Sequence, residues 1–298
     1  MALLALALTV PLFFVHEVAG SLGPASGMGM GGAVRKLYGR SVTAPMYISM
    51  MALSDVVGYI AQYSGIALAL QLLGLPMALD FLIALPVTVA MAHWSGSWRI
   101  RAFLMALSTL LVGAVIASAF MSHPAATCTE GMKMPQADAS FYYMTAALAG
   151  ATISPWSIAF HSGARRLRVE SRALRLEVLA GALVSQLIMA VAIVDGAAGG
   201  GTAPRGIQDL LRPLGSVAPY VLGVAFIGGS LLAISAIALT SSWRILGAGA
   251  KRGSLAFELV PLVEGAAAMT IVAIAHDPLA LLVNSMVAVT LILLPQLY

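Results

Sequence analysis

Residues 150–157 read Gly-Ala-Thr-Ile-Ser-Pro-Trp-Ser, within a stretch that carries no Asp, Glu, Lys or Arg from 139 to 164. Proline has no backbone N–H and its ring crowds the carbonyl four residues earlier, so Pro155 deprives the Ala151 carbonyl of its helical donor. In hydrocarbon an unpaired carbonyl is costly and is tolerated only where protein or a water-filled cavity covers it. The segment therefore predicts either a proline kink closed by a Ser or Thr hydroxyl, or a broken helix that offers uncharged oxygen ligands to a cation.

The composition around this segment indicates an integral membrane protein. Of 298 residues, 60% are hydrophobic and 9% are charged, and the mean hydropathy is +0.95. A soluble domain carries about 25% charged residues, so this chain has too little polar surface to cover a globule in water. The sequence therefore predicts an all-α polytopic membrane protein with the lipid bilayer as its surroundings.

Apolar runs divide the chain into membrane spans, because a helix needs about 20 apolar residues to cross the hydrocarbon core. Charges and clusters of Gly and Pro separate the runs. We predict about nine spans, at 2–20, 46–73, 76–94, 100–122, 140–162, 174–196, 216–243, 254–274 and 278–297. The span 254–274 is the weakest of them, since Glu258 and Glu264 interrupt it.

The basic residues predict an orientation, because cytoplasmic loops collect Lys and Arg. Alternate gaps between the nine spans hold 13 and 3 of the 16 basic residues. This bias predicts an outside amino terminus, a cytoplasmic carboxyl terminus and a multi-pass protein of the cell inner (cytoplasmic) membrane. The basic residues occupy short gaps between spans, so the net charge of +4 orients helices and does not indicate a nucleic-acid partner. A first helix that starts outside also suggests an upstream span.

The segment resembles a known family. Residues 150–162, Gly-Ala-Thr-Ile-Ser-Pro-Trp-Ser-Ile-Ala-Phe-His-Ser, are similar to the sixth helix of the natural resistance-associated macrophage protein (Nramp) family of divalent-metal transporters. The motif of that helix is Gly-Ala-Thr-Val-Met-Pro-His followed by His-Ser. His16-Glu17 with the glycines after it resembles the second helix, and Tyr59 to Pro76 resembles the third. The resemblance then covers helices two to ten, almost the whole chain.

The resemblance implies a LeuT-like inverted-repeat fold that moves a divalent cation by alternating access. Residues 1–298 would form a single transporter domain, with 1–122 as an incomplete first repeat of four helices and 140–298 as a second repeat of five. The first helix of the family supplies an Asp-Pro-Gly-Asn motif that is absent from this sequence. We therefore expect either a start upstream of Met1 or an inactive fragment that lacks the first helix.

The family motif also implies a set of site residues and a preference among ions. The residues expected at the metal are Ala151, Ser154, Trp156 and Asn284, and those expected to line or gate the path are Glu17, Tyr59, Gln62, Thr152, Pro155 and His161. A hydroxyl replaces the thioether of the family at Ser154, and Trp156 replaces the motif histidine. The acidic positions of the third helix align with neutral Tyr59 and Gln62. These departures resemble the Nramp-related magnesium transporter branch, with Mg²⁺ or Mn²⁺ as cargo, no resident cofactor and no proton coupling.

Other function classes remain open at this stage. A different LeuT-fold carrier, for an amino acid or another solute, would bind its substrate at exposed helix amino termini. A membrane enzyme is not expected, since no nucleophile–base pair is recognisable. Ionisable residues inside the spans are functional candidates by default, although we expect most of them near helix ends; they are Glu17, Asp55, Asp80, Glu177, Asp195, Glu258 and Glu264. The oligomeric state is left unassigned.

Overall fold

A computed structural model describes residues 1–28, 30–39, 43–94, 98–121, 136–164, 171–197, 216–246 and 254–294. Cys128 and the arginines at 165, 166 and 168 lie outside these ranges. The described residues form helices in the order α1 (Ala2–Ala7), α2 (Thr9–Ser26), α3 (Met30–Tyr38), α4 (Thr43–Leu72), α5 (Leu79–Trp94), α6 (Trp98–Met121), α7 (Ala139–Thr152), α8 (Pro155–Ala164), α9 (Ser171–Ala197), α10 (Ala218–Leu246), α11 (Leu255–Ile274) and α12 (Pro278–Leu293).

The helices match the predicted spans. Within the described ranges, α1 with α2, α4, α9, α10 and α11 are long and apolar enough to cross a membrane, and α5 and α12 are shorter apolar helices. The weakest predicted span is a continuous helix, α11, in spite of its two glutamates. A polytopic all-α membrane protein is thereby confirmed. The short helix α3 was not predicted as a separate element; α2 ends before it at Gly27, whose positive φ of 66° suits glycine.

Side-chain caps fix where several helices begin. The Asp138 carboxylate accepts from the Phe141 N–H at 2.8 Å at the start of α7, and Asp277 accepts from Ala280 N–H at 3.0 Å at the start of α12. Such caps supply acceptors for N–H groups that the first helical turn leaves unpaired. The polar residues between apolar runs therefore set the boundaries of the spans.

Helix α4 is the centre of the molecule. In its most apolar window 78% of the residues are buried inside the protein, against 22% for α1–α2 and for α9. It packs against α10, α11 and α12. The core around it consists largely of aliphatic and aromatic side chains from these four helices and from α8, including Tyr59, Tyr63, Ile66, Trp156, Ile234, Ile237, Met269 and Val289.

Glycines let several helix backbones touch. A methyl group placed on Gly150 of α7 would collide with the Met286 carbonyl of α12, and one on Gly31 of α3 would lie 2.7 Å from the Arg244 carbonyl of α10. Close backbone contact through small residues is the usual way in which membrane helices associate, because lipid provides no hydrophobic driving force between them. The second of these contacts shows that the glycine-rich segment after α2 packs closely on α10.

Candidate metal-binding site

The helix that contains Pro155 is broken. Helix α7 ends at Thr152, Ile153 has extended dihedral angles of φ −109° and ψ 95°, and α8 begins at Pro155. Proline is tolerated at the first position of a helix, where its missing N–H would have no partner in any case. Of the two possibilities raised by the sequence, the interruption is therefore the one that is present.

The carbonyls at the break differ in their bonding. The Ser154 carbonyl accepts the N–H groups of Ser157 at 3.1 Å and Ile158 at 3.2 Å, and also the Ser157 hydroxyl at 2.7 Å. In a continuous helix the Ala151 carbonyl would accept from residue 155, but Pro155 has no N–H to donate. Ala151 is also exposed. The Ala151 carbonyl has therefore lost its helical donor, whereas the Ser154 carbonyl is fully used.

A second proline inside a span has a different outcome. In α11, Pro261 deprives the Phe257 carbonyl of its helical donor. That carbonyl accepts the Ser242 hydroxyl of α10 at 2.5 Å instead, and the helix continues. At Pro261 a hydroxyl of the neighbouring helix thus replaces the missing donor and the helix is continuous. At Pro155 the helix is interrupted, since α7 ends at Thr152 and α8 begins at Pro155.

Thr152 and Ser154 are both buried at the break, but their hydroxyls are not equivalent. The Thr152 hydroxyl donates to the Leu148 carbonyl at 2.8 Å and lies 3.7 Å from the Met189 sulfur of α9. The Thr152 hydroxyl therefore stabilises the last turn of α7 by this hydrogen bond. Ser154 is the residue of the two that remains a candidate ligand, with 5% of its surface exposed.

Two histidines lie beside the first turn of α8. The His16 Nε2 atom is 3.0 Å from the Ser157 hydroxyl. Since the hydroxyl proton of Ser157 is donated to the Ser154 carbonyl, Ser157 accepts from His16 in the tautomer that carries a proton on Nε2. The His16 and His161 rings lie 4.3 Å apart, tilted by 36°. The sequence indicated His16 only as part of the segment that resembles the second helix of the family. It gave no sign of this contact, since the partners of His16 are more than 140 positions away in the chain.

Trp156 fills the space behind the break. It is 6% exposed, and a methyl group on Gly58 of α4 would lie 2.7 Å from its ring and 3.1 Å from Ile237. The missing side chain at Gly58 therefore makes room for the indole. Trp156 therefore shapes the packing of α8 on α4, and its indole cannot itself ligate a metal.

Two other predicted residues are engaged with side chains of neighbouring helices. Glu17 forms an ion pair with Arg175 of α9, and Arg175 is 67% exposed. The Asn284 amide oxygen of α12 accepts a hydrogen bond from the Tyr143 hydroxyl of α7. These contacts join pairs of helices, and the structure does not bring either side chain into contact with Ser154 or Ser157.

The predicted residues of α4 lie in the core. Tyr59 is completely buried, and its ring is 5.7 Å from that of Tyr63. Tyr63 in turn shares a hydrogen bond of 3.0 Å with Thr88 of α5. Gln62 is half-buried. Tyr59 and Trp156 belong to the same core cluster.

The expectation that ionisable residues lie near helix ends is correct for Asp80 and Glu258, which occupy the first turns of α5 and α11. It is wrong for Asp55 and Glu264. Both are in helix interiors, with 0% and 6% of their surface exposed. Arg244 of α10 is buried near them. Arg244 forms an ion pair with Asp55.

This pairing also corrects the orientation argument. Arg244 was counted among the loop cations, but it is 2% exposed and belongs to the interior. Its removal leaves 12 basic residues against 3 in the two sets of gaps, so the bias remains. The sequence offered only one indication of this pair, which is that Asp55 lies in another span and has the opposite charge. Because 189 positions separate the two residues, the sequence could not show that they meet.

The described parts of the chain contain no group of three or more His, Cys, Asp and Glu side chains able to hold a metal ion. Two cavities of about 700 and 540 Å³ lie elsewhere, one between α6 and α10 and one between α5 and α6.

Comparison with known proteins agrees with the resemblance. A family model described as natural resistance-associated macrophage protein-like matches residues 1–297. No curated protein matches the chain. The family match covers the broken helix, the core helix α4 and the buried ion pair alike. The chain therefore belongs to the Nramp family, whose members are divalent-metal transporters.

Proposed function

We propose that this protein is a secondary transporter that moves Mg²⁺ or Mn²⁺ across the cell inner (cytoplasmic) membrane by alternating access. The observation that carries the proposal is the helix break at Ile153–Ser154, which leaves the Ala151 carbonyl without a helical donor. Non-helical backbone inside a membrane protein typically lines the site of a transported ion. The break lies between two helical segments of the chain, where a small relative movement would change access to the carbonyl.

The choice of ion follows from the ligands. The Ala151 carbonyl and the Ser154 hydroxyl are hard, uncharged oxygens, which suit Mg²⁺ and Mn²⁺ better than soft transition metals. Mg²⁺ gives up water reluctantly and needs few protein ligands. The Nε2 atom of His16, beside the first turn of α8, is occupied by its hydrogen bond with Ser157. Nitrogen ligation at that atom would require this bond to break.

The absence of proton coupling is part of the same proposal. Tyr59, Gln62 and Trp156 occupy positions where the family motif carries acidic or imidazole groups. A tyrosine, an amide and an indole do not exchange protons near neutral pH. Ion movement along this path would therefore proceed without an accompanying proton.

The test is binding of Mn²⁺ to the purified protein, followed by electron paramagnetic resonance, with Mg²⁺ as competitor. Pro155→Ala restores the N–H and favours a continuous helix by up to about 3 kcal/mol, which corresponds to a weakening of Mn²⁺ binding by up to roughly a hundredfold. Pro261→Ala is the matched control, because the Phe257 carbonyl already has the Ser242 hydroxyl. Absence of Mn²⁺ binding to the unaltered protein, or an equal loss in both variants, would refute the assignment.

A further inference from the structure

We propose that the cavity between α5 and α6 binds an anionic glycerophospholipid, with one acyl chain inside the cavity and the headgroup phosphate on Arg99. The cavity has a volume of about 540 Å³, within the range of about 300–1,000 Å³ that is usual for ligand sites. Its walls come from α5 and α6, whereas the helix break lies between α7 and α8. The inference therefore goes beyond the proposed ion transport and does not depend on it.

The interior of the cavity is apolar. Helix α5 contributes Val87, Ala90 and Met91 to it, and α6 contributes Phe103. Val87 and Phe103 also pack against a small core cluster that joins Met91 to Ala238 of α10, so protein closes the inner wall. A polar ligand placed there would lose its hydrogen bonds to water without gaining others. This cost favours an apolar group such as an acyl chain.

The other end of the cavity lies at the membrane surface. Trp94 ends α5 and Trp98 begins α6, both line the cavity, and they are 58% and 69% exposed. Tryptophan is enriched where the hydrocarbon meets the lipid headgroups, since its ring is apolar and its N–H needs a polar partner. The two indoles therefore mark the level of the headgroups.

The length of the cavity fits one leaflet of the bilayer. Val87 lies seven positions before Trp94 on α5, which corresponds to about 10 Å at a helical rise of about 1.5 Å per residue. The hydrocarbon core is about 30 Å thick, so each leaflet takes about 15 Å of it. The cavity therefore holds the part of an acyl chain that is nearest to its headgroup.

Arg99 supplies the charge that selects an anionic headgroup. It lines the cavity beside Trp98 and is exposed. Among the described residues no ion pair includes Arg99, and the carboxylate of Glu258 on α11 is paired with His93. A guanidinium binds phosphate through two parallel hydrogen bonds, and basic pockets between membrane helices bind anionic lipid headgroups. The charge at the mouth of the cavity is thus complementary to an anionic phospholipid.

The predicted orientation places this mouth in the cytoplasmic leaflet. The gap between α5 and α6 belongs to the set of gaps that holds most of the basic residues. Anionic lipids give that leaflet its negative surface potential. The larger cavity, between α6 and α10, has no basic residue among the described residues that line it. It therefore serves as a comparison, where we expect no selection among headgroups.

The proposal is tested by fluorescence quenching with brominated lipids, in the full chain reconstituted into phosphatidylcholine bilayers. A small fraction of the lipid is replaced by phosphatidylglycerol brominated on its acyl chains, or by equally brominated phosphatidylcholine. Bromine quenches tryptophan only at close range, so Trp94 and Trp98 report lipid in the cavity. We expect the brominated phosphatidylglycerol to bind there about fivefold more strongly, the size expected of one basic residue at an anionic lipid surface. The double variant Trp94→Phe/Trp98→Phe should not show this preference.

Two substitutions distinguish the headgroup contact from the chain contact. Arg99→Gln should abolish the preference for phosphatidylglycerol, and Arg99→Lys should retain part of it. Ala90→Phe fills the cavity and leaves the charge in place, so it should abolish the preference as well.

Each substitution has a matched control. Arg172, like Arg99, is an exposed arginine at the second residue of its helix, so Arg172→Gln removes the same charge from α9. Ala106→Phe places the same ring in the larger cavity. Neither control should change the preference that Trp94 and Trp98 report. Unchanged helix content in circular dichroism shows that a variant is folded.

Four results would overturn the proposal. Equal quenching by the two brominated lipids in the unaltered chain would show a cavity that takes chains without headgroup selection. An equal loss in Arg99→Gln and Arg172→Gln would assign the preference to diffuse surface charge. A preference that survives Ala90→Phe would place the lipid outside the cavity. Absence of quenching by either lipid would show that protein, such as a second copy of the chain, covers the cavity.

Discussion

Removal of one partner of the ion pair between Asp55 and Arg244 should be one of the most destabilising single changes in the helix bundle. The two residues are 0% and 2% exposed, so neither charge can be solvated by water if its partner is removed. Asp55→Leu would leave a buried guanidinium whose remaining side-chain hydrogen bond, within the part of the chain that the structure describes, is to the Thr240 hydroxyl at 3.5 Å. Removal of one partner of a buried pair costs about 3–5 kcal/mol. We expect a loss near the lower value, because Glu264 offers Arg244 another carboxylate.

The appropriate assay is a double-mutant cycle with Asp55→Leu, Arg244→Met and the combined variant, unfolded by SDS in mixed micelles and followed by tryptophan fluorescence. Each single variant should be strongly destabilised, whereas the combined variant should approach the stability of the unaltered protein, since replacing both charges with apolar groups is often neutral or favourable. Arg175→Met provides a control at an exposed ion pair, where the loss should stay below about 1 kcal/mol. A loss of that size at Asp55, or additive losses in the combined variant, would refute the reasoning.

Three further predictions concern packing, ion choice and proton coupling. Gly58→Ala should destabilise the protein by about 1–3 kcal/mol in the same unfolding assay, because the new methyl group would lie 2.7 Å from the Trp156 ring. Adding Trp156→Phe to this variant should restore part of the lost stability. If Gly58→Ala alone caused no loss of stability, the close packing of Gly58 on Trp156 would be contradicted. Ser154→Met should strengthen Mn²⁺ or Cd²⁺ binding relative to Mg²⁺, because it adds a soft thioether, and an unchanged ranking in competition measurements would refute this. Metal uptake by proteoliposomes should proceed without internal acidification of a trapped pH dye, and a metal-dependent proton flux would count against uncoupled transport.

The loss of the Ala151 donor could be predicted from local sequence because its cause is local. Proline lacks an N–H wherever it occurs, so Pro155 removes the Ala151 donor regardless of the rest of the fold. What happens to the freed carbonyl is not local. The contrast with Pro261, where Ser242 of another helix supplies a hydroxyl, depends on which helices are neighbours. For the same reason, the alternatives of a kink and a break remained open until the fold was known.

The apolar runs by themselves determined that the chain is a bundle of membrane helices. Whether a run can cross the bilayer depends on its length and on the thickness of the hydrocarbon core, and not on how the helices pack. Only the tertiary structure decided which polar residues face each other. Asp55, Arg244 and Glu264 lie on three helices, and sequence periodicity defines a face on each helix but not its partner. A buried charge is costly unless an opposite charge lies beside it. The helices supply that opposite charge only when they are packed together in the bundle.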